Sequence, residues 1–243
     1  MANANRARLF QGRVVDQHNV EIAFGISETT LDQITEDRLA IAEVVQNWAV
    51  WRDAGDWERF RTVWHEDGWM SATWFQGPAE QFIAVSKAGF DKGVNILHFL
   101  GGISVDVSGD RAISQCKMTI SQRGPLEGET VDVVCTGRFY DFFGRRNGAW
   151  KVVRRQPIYE KDRLDALNPG SELVLDPKLL MSFPEGYRHL AYLQTKLGFK
   201  IKMDMPQLKG PVVQALYVRG KAWLEGASSA FDSPPVPSGA PAN

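Results

Sequence analysis

The chain has 243 residues, of which 44% are hydrophobic and 23% charged, and its formal net charge is −1. This composition is typical of a soluble globular protein, and the length is sufficient for one large domain and an appendage. The lack of a basic block argues against nucleic acid or an anionic membrane surface as a partner. The sequence contains neither a recognisable signal peptide nor a run of about 18 apolar residues, so a cytoplasmic protein is predicted.

The first predicted elements are an N-terminal arm, residues 1–34, and a helix over residues 36–53. Thr35 is a candidate N-cap, because Glu36 and Asp37 then fall in the first turn, where the helix dipole favours negative charge. The apolar stripe that this helix would bury recurs at helical spacing and consists of Ile41, Val44, Val45 and Trp48.

Two shorter helices flank a predicted strand. Gly55 ends the first helix, and residues 56–64 form the second. Residues 68–75 are typical of a strand. Pro78 then begins a third helix that runs to about Lys92. Proline is common at the first helical position, because a backbone N–H there would have no partner within the helix.

Strands with alternating apolar residues are predicted in the next part of the chain, with turns at Gly109-Asp110 and at residues 144–148. Consecutive strands are therefore expected to be antiparallel neighbours. Helices followed by hairpins predict an α+β domain over residues 35–162, with the helices packed on one face of a curved antiparallel sheet. The four strand candidates are residues 103–108, 112–120, 131–143 and 149–158.

The remaining sequence is not expected to form a second core. Residues 163–226 are predicted to be a C-terminal extension that wraps the domain or a neighbouring subunit, and residues 227–243, rich in Ser, Pro, Ala and Gly, a disordered tail. Cys116 and Cys135 lie in apolar strands, which indicates buried free thiols, although the sequence also allows a disulfide.

Asp53 is the first candidate for chemistry. The apolar stripe of the first helix continues to Arg52, so Arg52 and Asp53 lie at the inner edge of the buried face, on the last turn. A carboxylate in an apolar pocket can orient a proton-transfer group or exchange a proton itself. The alternative is structural: a solvated acid at a helix end, or one half of an ion pair with Arg52 or Arg59.

His98 is the second candidate, and its position depends on a glycine pair. Simple alternation places His98 opposite Ile103 and away from the core. One extra residue at Gly101-Gly102 would make a β-bulge and turn every upstream side chain to the other face. His98 would then join Asp53 inside the cavity. The alternative is a hydrogen-bonded structural histidine.

The other histidines are His18, His65 and His189, and they are scattered along the chain. His65 is expected at an exposed helix end. Their spacing is not that of metal ligands. The sequence also has no Gly-rich phosphate loop and no nucleophile elbow. No metal and no cofactor are therefore predicted.

Polar side chains on the strands are candidates for substrate binding, on the expectation that they lie on the concave side. Arg138 could hold a phenolate or carboxylate, and Tyr140 could donate a proton. Alternatively, Arg138 pairs with an acid or contacts a neighbouring subunit, and Tyr140 is a packed ring. Trp48 and Trp74 would suit an aromatic substrate. The strand candidates are Gln115, Lys117, Arg138 and Tyr140.

Three segments taken in order resemble the nuclear transport factor 2-like superfamily, in its SnoaL-like branch, and within it scytalone dehydratase. The resemblance covers about residues 35–160. It implies a cone-shaped α+β barrel, an Asp53–His98 pair in the cavity, no cofactor, and a homo-oligomer, either dimer or trimer. The segments are Arg52-Asp53-Ala-Gly-Asp56-Trp57, His98-Phe99-Leu-Gly101-Gly102 and Gly148-Ala-Trp150-Lys151.

The chain departs from that pattern where the dehydratase has a tyrosine before the aspartate, because this residue is Arg52 here. A second histidine and a strand tyrosine also have no counterparts near Ser121 and Ala72. The substrate and the proton relay should therefore differ. Residues 183–193 resemble bacterial members that act on aromatic compounds, one of which is a cofactor-free diarylpropane lyase that releases formaldehyde from a lignin-derived dimer.

The resemblance and the residues together predict a cofactor-independent lyase for a phenolic aromatic substrate, such as a lignin-derived diarylpropane diol. His98, oriented by Asp53, would protonate the departing benzylic hydroxyl. A quinone methide would form, and loss of formaldehyde would give a stilbene, with Arg52, Arg138 or Tyr140 holding the phenolate.

Other functions are compatible with the same sequence. One is a dehydratase, isomerase or cyclase of a polyketide- or steroid-like ring. Another is a non-catalytic binding module, and a third is a dioxygenase β-subunit, which would require a metal-bearing partner.

Overall fold

The structure is a computed structural model, and it describes residues 28–227. A short 3-10 turn at Glu185–Tyr187 precedes the fifth helix. The helices and strands, in chain order, are α1 (Glu28–Asp53), α2 (Trp57–Thr62), β1 (Trp64–Ser71), β2 (Gln76–Pro78), α3 (Ala79–Asp91), β3 (Asn95–Ser108), β4 (Arg111–Leu126), β5 (Glu129–Arg146), β6 (Ala149–Ala166), α4 (Pro177–Ser182), α5 (Arg188–Lys196) and α6 (Pro211–Leu224).

The strands form one six-stranded sheet in the order β2-β1-β6-β5-β4-β3. Strands β3 to β6 are joined in sequence by antiparallel pairing, β1 pairs with β6 in parallel, and β2 pairs with β1 antiparallel. The α+β prediction with helices on an antiparallel sheet is confirmed. The expected barrel closure is not found, because within the described residues the edge strands β2 and β3 do not pair with each other.

The two faces of the sheet bury different hydrophobic clusters. On one face, β4 and β5 pack their apolar residues against α1, α2 and α3. On the other face, α6 covers the middle of the sheet. Cys116 and Cys135 are free and buried in the first cluster. Period-two alternation divides each strand between the faces, so that the even-numbered residues Tyr140 and Phe142 of β5 belong to the second cluster.

A β-bulge interrupts β3 at the glycine pair. Leu100 pairs with Met118 but Ile103 pairs with Cys116, so β3 has one more residue than β4 between these pairs. The bulge prediction is confirmed. An extra residue turns all upstream side chains to the opposite face, and His98 accordingly lies toward the core side of the sheet.

The first helix is longer than predicted. It begins at Glu28 rather than at residue 36, and the Thr35 hydroxyl donates to the carbonyl of Leu31 within the helix instead of capping its start. Asp37 is buried and accepts hydrogen bonds from Arg145 and from the indole of Trp150. Asp37, which the sequence predicts in the first turn of the helix, therefore lies further along α1 and binds the end of β5 and the start of β6.

Local predictions around the first strand also need correction. The strand begins at Trp64 rather than at residue 68. His65 is consequently a buried strand residue whose Nε2 lies 2.9 Å from the carbonyl oxygen of Gly144, instead of an exposed residue at a helix end. Pro78 is the N-cap of α3 rather than its first helical residue.

The segment after β6 lies against both faces of the same domain. Helix α5 contacts β4, β5 and β6 on the side of the larger cluster, whereas α6 contacts β4 on the other side. Most of the predicted N-terminal arm and of the tail over residues 227–243 lies outside the described residues. Among the helices of residues 28–227, none has the length and apolar character required to cross a membrane.

Candidate active site

Asp53 and His98 meet although they are 45 residues apart in the chain. One carboxylate oxygen of Asp53 lies 2.8 Å from Nδ1 of His98, and the other accepts the backbone N–H of His98. A carboxylate at Nδ1 favours the tautomer that carries its proton on Nδ1, which leaves Nε2 as the proton-accepting nitrogen. No group among residues 28–227 forms a hydrogen bond with Nε2.

The end of α1 completes the free edge of β3. An edge strand exposes backbone groups that have no neighbouring strand. Arg52 donates to the carbonyl of Ile96 at 3.2 Å, and Asp53 accepts from the N–H of His98. Arg52 and Asp53 thus bind one backbone acceptor and one backbone donor of this edge. These contacts hold β3 in place and fix the position of the His98 imidazole.

The imidazole of His98 is enclosed by aromatic rings. Its centroid lies 5.1 Å from that of Trp48, nearly perpendicular, and 6.1 Å from that of Phe139. Only 7% of the His98 side chain is exposed, compared with 15% of Asp53. The packing excludes water from most of the ring and restricts its rotation.

The pKa values of the pair are shifted so that the carboxylate is ionised and the imidazole is neutral at pH 7. Burial lowers the pKa of His98 below its ordinary value of 6.5, although the hydrogen bond that His98 donates to Asp53 opposes this, and the charge of Arg52 lowers the pKa further. Burial is the largest single influence on the pKa of Asp53 and would raise it, but the hydrogen bonds with His98 and the positive charge nearby, including that of Arg52, together outweigh burial, and the pKa is lowered.

A fully buried ion pair lies behind this site. Arg155 binds Asp141 through two hydrogen bonds of 2.8 and 2.6 Å. Its guanidinium group lies 4.2 Å from the ring centroid of Trp48 and 4.0 Å from that of Phe139. The same two rings enclose His98, and the positive charge of Arg155 contributes to the lowered pKa of His98.

A cavity of about 40 Å³ opens beside the imidazole. Arg52, Trp48 and Trp74, which were predicted to bind substrate, line it together with His98. The other lining residues are mostly apolar: Met70, Ala72, Thr73, Phe82, Ile96, Ile120, Gln122, Phe139, Pro157, Tyr159, Leu190 and Gln194.

The four strand residues predicted to bind substrate are not in this cavity. Tyr140 belongs to the cluster under α6, and Gln115, Lys117 and Arg138 share its face of the sheet, which contradicts the expectation that the four residues face the concave side. Arg138 binds Glu160, Gln115 and the hydroxyl of Tyr217 on α6. Phe139 of β5 lines the cavity, so alternation turns its even-numbered neighbours Arg138 and Tyr140 away from it.

The prediction missed three buried polar residues of the cavity wall. They are Thr73, Gln122 and Gln194, which hydrogen-bond to one another. Alternation along β4 does place Gln122 on the same face as the core residues Met118 and Ile120. Gln194 lies on α5 in the C-terminal extension and has no comparable signal in the sequence.

Within residues 28–227, no three side chains of His, Cys, Asp or Glu converge in a way that could hold a metal ion. The chemistry that the Asp53–His98 arrangement can perform by itself is proton transfer at Nε2 of His98.

Sequence comparisons identify a family and several fungal relatives. The SnoaL-like domain matches residues 33–156. Pea pathogenicity protein 2 of Fusarium vanettenii is 37% identical over 206 residues, which is 80% of this chain and 88% of that protein. An uncharacterized protein of Emericella nidulans is 36% identical over 211 residues, 80% of this chain and 89% of its own length. Both alignments are longer than the domain match.

Solved structures with a similar fold are more distant. One from Novosphingobium aromaticivorans, assigned as a scytalone dehydratase, is 19% identical, covers 59% of this chain and 99% of its own, and superposes with a TM-score of 0.48. A hexachlorocyclohexane dehydrochlorinase, LinA type 2, is 16% identical, covers 60% of this chain and 98% of its own, and gives a TM-score of 0.47.

Proposed function

The chain belongs to the SnoaL-like domain family, and on that premise we propose that it is a cofactor-independent lyase for a phenolic aromatic substrate. The observation that carries the proposal is the Asp53–His98 pair at the wall of an aromatic cavity, with Nε2 of a neutral imidazole unpaired within the described residues. Acid–base catalysis by a positioned imidazole contributes about 10²–10⁴-fold in rate.

The lowered pKa of His98 favours a base as the first role of this residue rather than the acid expected from the sequence. In a phenolic diol with hydroxyls on the benzylic and terminal carbons, Nε2 would take the proton of the terminal hydroxyl. The bond between the terminal carbon and its neighbour then breaks, formaldehyde leaves, and the electron pair forms the new carbon–carbon double bond as benzylic hydroxide departs.

The same nitrogen can complete the reaction. The proton on Nε2 passes to the departing hydroxide, which leaves as water, and His98 returns to its neutral form. Asp53 would stabilise the transient imidazolium, and the Arg52 guanidinium, which lines the cavity, supplies positive charge for electron density on the phenol oxygen. The alternative, a dehydratase, differs only in the first step, where the proton comes from carbon and no formaldehyde is formed.

The size of the cavity bears on the substrate. Benzene occupies a cavity of roughly 150 Å³ in another protein, whereas the cavity beside His98 measures about 40 Å³. Ring binding therefore requires the wall to move outward, and a substrate with one phenolic ring requires less movement than a diarylpropane. We propose the one-ring diol as the first substrate to test and the two-ring diol as the second.

The test uses chelator-treated protein with each diol, and it compares wild type with His98→Gln. Formaldehyde together with a vinylphenol or a stilbene is expected from wild type, and neither product from the variant. Water loss without formaldehyde would favour the dehydratase. No reaction of either diol with wild type would contradict the proposed lyase, and equal rates in both proteins would contradict the role of His98.

A further inference from the structure

A continuous hydrogen-bonded relay forms the polar part of the cavity wall. The Thr73 hydroxyl donates to Oε1 of Gln194 at 2.6 Å, and Nε2 of Gln194 donates to Oε1 of Gln122 at 3.0 Å. Gln122 and Gln194 are 2% and 3% exposed. Each bond runs in the same direction, from Thr73 through Gln194 to Gln122.

The relay leaves a pair of N–H donors at its end. The amide oxygen of Gln122 accepts from Gln194, which fixes the orientation of the amide, and no group in residues 28–227 hydrogen-bonds the amide nitrogen. Because Gln122 lines the cavity, a ligand bound there can reach these N–H groups. The arrangement is therefore suited to a ligand that brings an acceptor oxygen into the cavity.

The strand register places this donor next to His98. His98 pairs with Ile120, and Gln122 pairs with Ile96, so His98 and Gln122 are diagonal neighbours on the same face. Diagonal neighbours are about 7 Å apart. A para-phenol carries its hydroxyl and its benzylic carbon at opposite ends of one ring, which is a separation of the same scale. Arg52 binds the carbonyl of Ile96 and thus lies beside the same end of the cavity.

The residue that orients Gln122 comes from outside the matched family domain. Gln194 lies on α5, whereas the domain match ends at residue 156. The main chain of Thr73 is itself bound by the extension, because its carbonyl accepts the N–H of Lys202 at 2.8 Å. The extension therefore supplies Gln194, the neighbour of Gln122 in the relay, and holds the main chain of Thr73, the residue that binds Gln194.

We propose that Gln122 is the specificity-determining residue of this site. Its amide N–H binds the phenol oxygen of the substrate, while Thr73 and Gln194 are positioning residues that hold the amide in this orientation. The proposal rests on the proposed function, because it places the phenol at Gln122 and the reacting carbons at His98. It defines the substrate class as aromatic compounds with an acceptor oxygen para to the reacting side chain.

Binding can be measured without turnover. The probes are para-ethylphenol and ethylbenzene, which differ by one hydroxyl, and the signal is quenching of tryptophan fluorescence, since Trp48 and Trp74 line the cavity. We expect wild type to bind the phenol about tenfold more tightly than ethylbenzene, the size of one well-placed hydrogen bond. Gln122→Met should bind both with nearly equal affinity.

Matched variants separate the hydrogen bond from the fold. Gln122→Glu keeps an acceptor for Gln194 but removes the N–H donors, and it should also lose the preference. Gln194→Glu keeps the acceptor for Thr73 but has no N–H to donate to the amide oxygen of Gln122. The preference for the phenol should therefore be reduced but not lost. His98→Gln should keep the preference. Circular dichroism and thermal melting of each variant establish that it is folded.

Each outcome has one meaning. A phenol preference that persists in folded Gln122→Met and Gln122→Glu would overturn the assignment of Gln122. A preference that depends on Gln122, in a wild-type protein that turns over neither diol, would support the assignment and contradict the lyase. If wild type binds neither probe, the assignment and the aromatic substrate class are both wrong.

Discussion

Two aspartate–histidine pairs of this molecule share one hydrogen-bonding arrangement in different surroundings. In the first pair, Asp53 binds Nδ1 of His98 at 2.8 Å and, with its other oxygen, the backbone N–H of the same residue. In the second, Asp162 binds Nδ1 of His189 at 2.8 Å and the backbone N–H of Leu190 at 2.8 Å. The local geometry alone therefore does not distinguish a catalytic pair from a structural one.

The pairs differ in which partner is buried. The His98 side chain is 7% exposed and lies beside the cavity, whereas His189 is 28% exposed and Asp162 only 1%. Leu190 lies in the first turn of α5, where backbone N–H groups have no partner within the helix and negative charge is favourable. We propose that burial of the imidazole serves proton transfer in the first pair, whereas burial of the carboxylate in the second pair anchors the start of α5.

The largest expected difference between the pairs is in turnover. His98→Gln should lower the rate of formaldehyde release by about 10²–10⁴-fold, because the proton acceptor is lost. His189→Gln should leave the rate within about threefold of wild type, because a solvated residue at a helix start takes no part in the reaction. Equal losses in both variants, with both proteins folded, would contradict the distinction.

Substitution of the two aspartates should also affect turnover unequally, with the larger loss at Asp53. Asp53→Asn should reduce kcat by about 10–10³-fold, because an amide can donate to Nδ1 and stabilise the wrong tautomer of His98. Asp162→Asn should leave kcat nearly unchanged. Steady-state kinetics of the two variants measure this. A larger loss of kcat in Asp162→Asn would transfer the chemical role to the second pair.

The residues of the first pair could be singled out from the sequence because their determinants are local, and the resemblance to SnoaL-like proteins implied that they pair. Helical spacing placed Asp53 on the last turn of a buried face, and Gly101-Gly102 indicated the bulge that turns His98 inward. The start of α1 could not be predicted in the same way. Asp37 resembles a residue of a first turn, yet its partners are Arg145 and Trp150, more than a hundred residues away in the chain.

The errors in the cavity wall have a second physical cause. Alternation divides a strand into two sets of residues but does not identify the set that faces the cavity. Arg138 and Tyr140 were therefore placed on the wrong face, and the cover of that face by α6 is a tertiary feature. Gln194 meets Gln122 and Thr73 across separations of 72 and 121 residues, which no local pattern encodes.

The pH dependence of turnover sharpens the comparison further. Because the base is neutral His98, kcat/KM should fall about tenfold per pH unit below the pKa of His98. Burial lowers that pKa, so activity should persist down to and somewhat below pH 6.5. The charge and hydrogen bond of Asp53 raise the pKa of His98, and the residual activity of Asp53→Asn should therefore fall at a still lower pH. A fall that begins well above pH 7 would contradict a neutral base.

The smallest expected effect is on stability, and it should be specific to the second pair. The Asp162 carboxylate is buried and accepts two hydrogen bonds from the first turn of α5, one from the His189 ring and one from the backbone of Leu190. In Asp162→Asn, one acceptor oxygen remains for the two donors, and the negative charge that is favourable at the helix N-terminus is lost. We therefore expect the free energy of unfolding to fall by about 1–2 kcal/mol. Urea unfolding monitored by circular dichroism measures this loss.

The kinetic signature of the same substitution should identify its cause. Helix α5 carries Leu190 and Gln194 into the cavity wall, so loosening its start should raise KM for the phenolic diol by a few-fold while kcat and its pH profile stay as in wild type. Asp162→Glu, which retains the charge, should recover part of the stability. Unchanged stability together with an altered pH profile would mean that Asp162 acts on the chemistry and that the two pairs are functionally alike.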